Sequence, residues 1–138
     1  MAVGRTPAAR GDVHLVRLDP TLGSEIRKTR PCVVISPDEL NQHLRTVIVA
    51  PMTTGGNAYP WRIPCRFRNR SGFVAIDQLR TVDTERLVKR LGRLSSASTT
   101  DVFDALQEMF AEWPRRLTPT DRRARRSARL YCCGARLS

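Results

Sequence analysis

Asp19-Pro-Thr-Leu-Gly-Ser-Glu-Ile-Arg-Lys-Thr-Arg30 joins two apolar runs, Val13-His-Leu-Val-Arg-Leu18 before it and Pro31-Cys-Val-Val-Ile-Ser36 after it. A connection this long with no periodicity of its own, inside a compact domain, is usually functional or disordered rather than a plain turn. Its composition favours function. Pro20 and Gly23 bend the backbone, while Glu25, Arg27, Lys28 and Arg30 crowd both signs of charge against a buried strand. A third apolar run, Thr46-Val-Ile-Val-Ala-Pro-Met-Thr53, ends in the hydroxyls of Thr53 and Thr54 and a Gly-Gly turn. If the strands after Arg30 and before Thr53 pair, the guanidinium, the hydroxyl and the Glu25 carboxylate meet at one sheet edge. Such an edge can hold and attack a phosphodiester.

Outward from this stretch the chain reads as short strands closed by a helix. Val13, Leu15, Val16 and Leu18 put apolar groups on both faces, as in a strand buried on two sides or twisting at a barrel corner. Ser36-Pro-Asp-Glu39 predicts a short helix from Pro37 to about His43, with Ser36 as its N-cap. Trp61, Ile63, Cys65 and Phe67 alternate with Arg62, Arg66 and Arg68, and Pro64 among them marks an edge strand. Asn69-Arg-Ser-Gly72 predicts a turn, Phe73 to Ile76 a further strand, and Leu87 to Leu94 another around Gly92. Ser98-Thr-Thr-Asp101 predicts the cap of a last helix. Val102, Leu106, Met109, Phe110 and Trp113 recur there at helical spacing, as core or dimer contacts, until Pro114. The expected fold is α+β, a small SH3-like β-barrel with a short internal helix and a C-terminal amphipathic helix.

At 138 residues there is room for one domain with a modest core, which gains from covering apolar surface by dimerising. The expected organisation is a flexible arm at 1–10, a folded domain at 11–113 and an Arg-rich, disordered tail at 114–138. That tail holds eight Arg against one Asp, so it carries +7 of the net charge of +11 and leaves +4 for the rest. Polyanions are the matching partners, nucleic acid ahead of a membrane surface. The tail is then either a polyanion-binding arm or a solvated extension. Four cysteines without a Cys-x-x-Cys pair, and two histidines, make no recognisable zinc set, so no metal or cofactor is expected. Cys32 and Cys65 read as small buried hydrophobes, and His14 and His43 as structural. No apolar stretch approaches the ~20 residues of a membrane span, and Met-Ala-Val-Gly-Arg-Thr-Pro has no signal-peptide core, so a cytoplasmic setting is expected.

Five stretches in order now carry a resemblance: Gly11-Asp-Val, Asp19-Pro-Thr-Leu-Gly-Ser-Glu25, Thr29-Arg-Pro-Cys-Val-Val-Ile-Ser36, Thr46-Val-Ile-Val-Ala-Pro-Met-Thr53 and Asp77-Gln-Leu-Arg-Thr-Val-Asp83. Across Gly11 to Trp113 the chain resembles the MazF/PemK toxins of bacterial toxin–antitoxin pairs. The resemblance implies an SH3-like homodimer that cleaves single-stranded mRNA sequence-specifically and without a metal ion. It would leave 2′,3′-cyclic phosphate and 5′-hydroxyl ends, and an antitoxin with an acidic, disordered end would hold it inactive. It also implies catalytic roles at the positions of Arg30 and Thr53, with Glu25 in the same cleft. Ser24, Lys28, Asp77, Gln78, Arg80 and Trp61 are the expected RNA contacts around them. A sub-branch uses His and Arg at the positions of Ser24 and Ala75, so this chain is assigned the Arg30/Thr53 scheme. Two other readings stand beside it: a toxin of this fold that poisons a protein such as DNA gyrase, and a non-catalytic RNA-binding protein.

Cleavage through the ribose 2′-hydroxyl needs that proton removed, the phosphorane's charge relieved, and a proton supplied to the leaving 5′-oxygen. Arg30 suits the second task, because its planar fork matches two phosphate oxygens. Thr53 can donate to a non-bridging oxygen or hold the 2′-hydroxyl in line. Glu25 is the available carboxylate base, beside Lys28 and Arg30, which favour its charged form. Arg30 is a poor proton shuttle with a pKa above ~12, and the residues assign neither the general base nor the general acid. The competing structural role for Arg30 is an ion pair with Glu25 that orders the loop. Tyr59 and Trp61 are either core or platforms for an unpaired base. The Arg62, Arg66 and Arg68 stripe either grips RNA or guards an edge strand.

Overall fold

The computed structural model describes residues 6–56 and 60–112. Among these residues the strands are β1 Asp12–Arg17, β2 Thr29–Val34, β3 Thr46–Thr53, β4 Arg62–Phe67, β5 Arg70–Ala75, β6 Arg80–Asp83 and β7 Leu87–Arg93. Helix α1 spans Asp38–His43 and α2 spans Ser96–Met109, with 3₁₀ turns at Ile76–Gln78 and Thr84–Arg86. All pairings are antiparallel, in the order β4-β5-β3-β2-β1-β7, and β6 also pairs with β3. Strand β3 meets β6 along Thr46–Val49 and β5 at Met52–Thr53, and the 3₁₀ turn at Ile76 lies between those two partners. The two ends of the sheet then approach each other. The Phe67 ring lies over Gly92, and Arg68 donates to the Leu91 carbonyl. The result is the expected α+β, SH3-like, barrel-like sheet with a C-terminal helix.

Strand β1 serves two cores. Val13 joins Val33, Ala50, Ile63, Val74 and Val102 in a cluster that includes α2. Val16 and Leu18 join Cys32, Val34, Val47, Val49 and Val82 in a second cluster. The pairing of β1 with β7 shifts register between Val13 and His14 and again between Leu15 and Val16. Bulges of this kind re-aim side chains, which explains why β1 shows no clean alternation. Edge position and alternation both hold for β4: Ile63 and Cys65 are buried, and Trp61 and Phe67 pack partly buried on the same cluster.

Several local expectations are corrected. Ser36 does not cap α1. Its hydroxyl is buried, bonds to Asn41 Oδ1 and accepts from the Ile48 amide at 3.0 Å, and Pro37 stands at the cap position without a side-chain bond. Helix α2 begins earlier than Ser98, because the Ser95 hydroxyl accepts from the Ser98 amide at 3.2 Å. The turn expected at Asn69–Gly72 is tighter and earlier. Phe67 pairs with Arg70, so Arg68 and Asn69 alone make the loop, both with positive φ (49° and 62°). Two consecutive left-handed residues are the signature of the hairpin turn that matches strand twist. Gly72 therefore lies within β5. The expected arm is fixed at its inner end, since the Arg10 amide donates to Asp38 Oδ1 at 2.8 Å and its guanidinium lies 4.6 Å from the Phe103 ring centroid. Phe110 is 70% exposed, so the described chain does not bury it. Tyr59, Trp113 and the 114–138 tail fall outside the described residues.

Candidate active site

The long loop is closed at its base and clamped along its side. The Leu18 amide donates to the Lys28 carbonyl at 3.0 Å, and the Lys28 amide donates to Asp19 Oδ2 at 3.1 Å. Lys28 takes a positive φ of 69° at this closure, which turns the chain into β2. Gln78 uses both ends of its amide on the loop, accepting from the Ile26 amide at 3.1 Å and donating to the Ser24 carbonyl at 3.4 Å. Arg80 donates to the Leu18 carbonyl at 3.1 Å. Arg86 donates to the Arg17 and Asp19 carbonyls at 3.2 and 2.6 Å. Arg86 was not singled out in the sequence; it follows the Asp77–Asp83 stretch and shows no pattern that marks it as a loop anchor.

Pairing between β2 and β3 sets Cys32 opposite Pro51, Val33 opposite Ala50 and Val34 opposite Val49. The ladder ends at Cys32 and Pro51; carried two positions further, the same register would align Arg30 with Thr53, and residues aligned across an antiparallel ladder share a face. Arg30 is itself paired with Val16 on β1, and Thr53 with Phe73 on β5, so each backbone is held on its other side. Both are half-buried. The Arg30 Nε donates to the Arg27 carbonyl at 3.0 Å, and the Thr53 hydroxyl donates to the Gly55 carbonyl at 3.1 Å. Neither group is spent on an ion pair among the described residues. Glu25 instead closes its own turn, where its Oε2 accepts from the Leu22 amide at 3.3 Å. The ion pair that would have made Arg30 a loop staple is therefore not formed.

An open groove of about 490 Å³ is lined by Glu25, Ile26, Pro51, Asp77, Gln78, Leu79 and Arg80; it gathers Glu25, Asp77, Gln78 and Arg80 but not Arg30 or Thr53. Pro51 precedes Thr53 by two residues and so shares its face. Cys32, across from Pro51, reports the local field. Burial pushes its thiol up to about 12, against the opposing pull of the Arg80 and Arg30 guanidinia. Asp77 is held by Arg62 through a bidentate pair at 2.8 and 3.1 Å. That contact takes Arg62 out of the outward Arg stripe and gives it a role at the groove wall. Ser24 and Lys28 are exposed on the loop. Trp61 packs partly buried on the α2-side cluster, and its carbonyl accepts from the Ile76 amide at 3.2 Å. Ala75 is fully buried, a position without room for the Arg of the alternative scheme. Among the described residues no group of three or more His, Cys, Asp or Glu is placed to hold a metal ion, and no helix is long and apolar enough to cross a membrane.

Residues 9–110 match the family of PemK-like, MazF-like toxins of type II toxin–antitoxin systems. Endoribonuclease MazF of Staphylococcus epidermidis is 36% identical over 105 residues, covering 70% of this chain and 86% of that protein. Endoribonuclease PemK of Escherichia coli is 35% identical over 107 residues, covering 73% and 80%. The fold is that of a MazF crystal structure from Deinococcus radiodurans (TM-score 0.69, 22% identity, 76% of this chain and 97% of that one). It is equally that of a mycobacterial endoribonuclease in complex with its cognate antitoxin (TM-score 0.65, 22% identity, 78% and 99%). With the family match spanning most of the chain and two relatives above one-third identity, the protein belongs to the PemK-like, MazF-like toxin family.

Proposed function

We propose that this toxin cleaves single-stranded mRNA by attack of a ribose 2′-hydroxyl on the adjacent phosphorus, leaving a 2′,3′-cyclic phosphate and a 5′-hydroxyl. The chain is an enzyme of the endoribonuclease class, as both curated relatives are. What supports the mechanism is the pairing of β2 with β3, whose register carried on past Cys32 and Pro51 would align Arg30 with Thr53, near a groove lined by Pro51, Glu25 and Arg80. As O2′ bonds to phosphorus, negative charge grows on the non-bridging oxygens. The Arg30 fork neutralises it with two parallel N–H donors, and loss of such a donor costs ~10²–10³ in rate. The Thr53 hydroxyl turns from the Gly55 carbonyl, to which it donates at 3.1 Å, and donates to one non-bridging oxygen or steadies O2′ in line. Glu25, on the groove wall, takes the 2′ proton; the P–O5′ bond breaks and O5′ is protonated from outside these three groups. Gln78 and Arg80 fix the loop that carries Glu25, and Ser24, Lys28, Asp77 and Trp61 complete the RNA-binding surroundings.

We propose two protein partners in the cytoplasm, each on its own surface. An antitoxin with an acidic segment is drawn to the Arg30 and Arg80 side of the groove. A second copy of the chain forms a homodimer that covers apolar surface such as Phe110.

Purified protein is incubated with a long RNA in EDTA, and cleavage is mapped by primer extension with analysis of the new ends. Cyclic-phosphate and 5′-hydroxyl ends, lost with Arg30→Ala or Thr53→Ala in folded protein, support the reading. Full activity in either variant, or 3′-hydroxyl ends, overturns it. Growth arrest with intact mRNA would point instead to a poisoned protein target.

A further inference from the structure

Gly72 lies inside β5, opposite Cys65 of β4, where a strand interior ordinarily carries a side chain. Its φ is not in the left-handed region, so conformational freedom does not explain it. Space does. A Cβ placed there would stand 2.3 Å from the Thr53 carbonyl oxygen, 3.2 Å from the Thr53 carbonyl carbon and 3.5 Å from the Thr54 Cα. All three are backbone atoms, which cannot swing aside as a side-chain tip can. A glycine inside a strand often marks such a close approach of another chain segment.

The segment that approaches is the end of β3. Thr53 is its last residue and pairs with Phe73; beyond it the backbone folds down onto Gly72. By contrast, a Cβ on Gly92 would meet only the Phe67 ring, at 3.2–3.3 Å, and Gly23, Gly55 and Gly56 face open space. Among the described glycines, then, Gly72 is the one whose missing side chain admits a candidate catalytic residue's own backbone. We infer that Gly72 is a positioning residue for Thr53: its bare Cα lets the end of β3 settle where the Thr53 hydroxyl faces the substrate position opposite Arg30. The inference rests on the reading of Thr53 as catalytic. A methyl group at position 72 must drive the Thr53 carbonyl back by roughly 1 Å, and a misplacement of ~1 Å in a catalytic group can cost ~10²-fold in rate.

The test compares Gly72→Ala, Thr53→Ala and the double variant in single-turnover cleavage of a short RNA, with fold checked by circular dichroism. Gly72→Ala is expected to lower kcat by about 10²-fold with KM close to wild type, since the groove lining is unchanged. In the Thr53→Ala background the same change should cost nothing further, because it acts through that hydroxyl. Gly92→Ala serves as the control, lowering the melting temperature without lowering kcat. If Gly72→Ala does not fold, Gly72→Ala with Thr54→Gly gives the backbone room to retreat; that folded variant should still lose kcat. Wild-type kcat in a folded Gly72→Ala or in that double variant overturns the inference, as does a full additional loss in the Thr53→Ala background. Full activity of Thr53→Ala by itself overturns the catalytic reading of Thr53 instead.

Discussion

Burial decides the chemistry of His14. Its Nε2 is buried with no hydrogen-bond partner, and the nearest carboxylate oxygen, Asp12 Oδ2, is 3.9 Å away. Burial holds the imidazole below its ordinary value of 6.5, with Asp12 pulling the other way and Arg90 adding to the depression. Cys32 of β2 pairs with it, and Arg90 and Arg93 share the Asp12 carboxylate. A group whose folded value is depressed takes its proton more readily in the unfolded chain. Its contribution to stability is therefore complete above about pH 6.5 and is lost as the pH falls below that. Replacing His14 with Leu removes both the orphaned nitrogen and the titration. Urea midpoints measured from pH 8 to 5 should show a shallower acid decline for His14→Leu than for wild type, and no loss at pH 8; an identical decline in both would refute the assignment. The other residue-scale test concerns Arg30. Lys keeps the charge but not the two-pronged donor set, so Arg30→Lys should remain at least ~10-fold below wild type in kcat. A lysine variant at wild-type rate would mean that only a point charge is required.

At the scale of elements, the loop of residues 18–28 is positioned by partners that come mostly from one later stretch of chain. Gln78 holds Ser24 and Ile26, Arg80 holds Leu18, and Arg86 holds Arg17 and Asp19. Each hydrogen bond is worth ~1 kcal/mol, so losing both Gln78 bonds should free the loop without unfolding the barrel. Gln78→Ala should speed amide exchange at Ile26 while leaving β3 amides protected, and uniform acceleration would show a global effect instead. Strands β2, β3 and β4 and the edge position of β4 were legible in the sequence, because apolar runs and alternation are local signals, whereas β6 within Asp77–Asp83 carried no such pattern. The loop clamps were not, since Gln78 and Arg86 act across more than fifty residues and carry no periodicity. Caps failed for a related reason. Ser36 and Ser98 each fit a cap pattern, but the Ser36 hydroxyl was claimed by Asn41 and Ile48, and Ser95 stood closer to the true start of α2. Gly72 reads as a turn glycine until Arg68 and Asn69 are seen to make the turn themselves.

For the molecule as a whole, the proposed RNA cleavage leads to a prediction about where its charge acts. Of the net +11, +7 belongs to residues 114–138, whereas Arg30 and Thr53 lie on β2 and β3 and Glu25 on the loop between β1 and β2. Cations that neutralise Z phosphates of a single strand release counterions, so log affinity falls with log salt at a slope of about −0.7Z. In the proposed mechanism the chemical step involves one phosphate docked against Arg30 and should respond weakly. Removing 114–138 is therefore expected to raise KM and flatten its salt dependence, with kcat unchanged within about twofold. Cleavage of one RNA by the full chain and by the 1–113 chain, from 50 to 300 mM KCl, separates the two terms. An unchanged salt slope would make the tail a solvated extension and move RNA capture wholly onto the groove beside Arg80. A fall in kcat with a steady KM would mean that residues 114–138 reach the reacting phosphate, and the division between capture and chemistry would have to be abandoned.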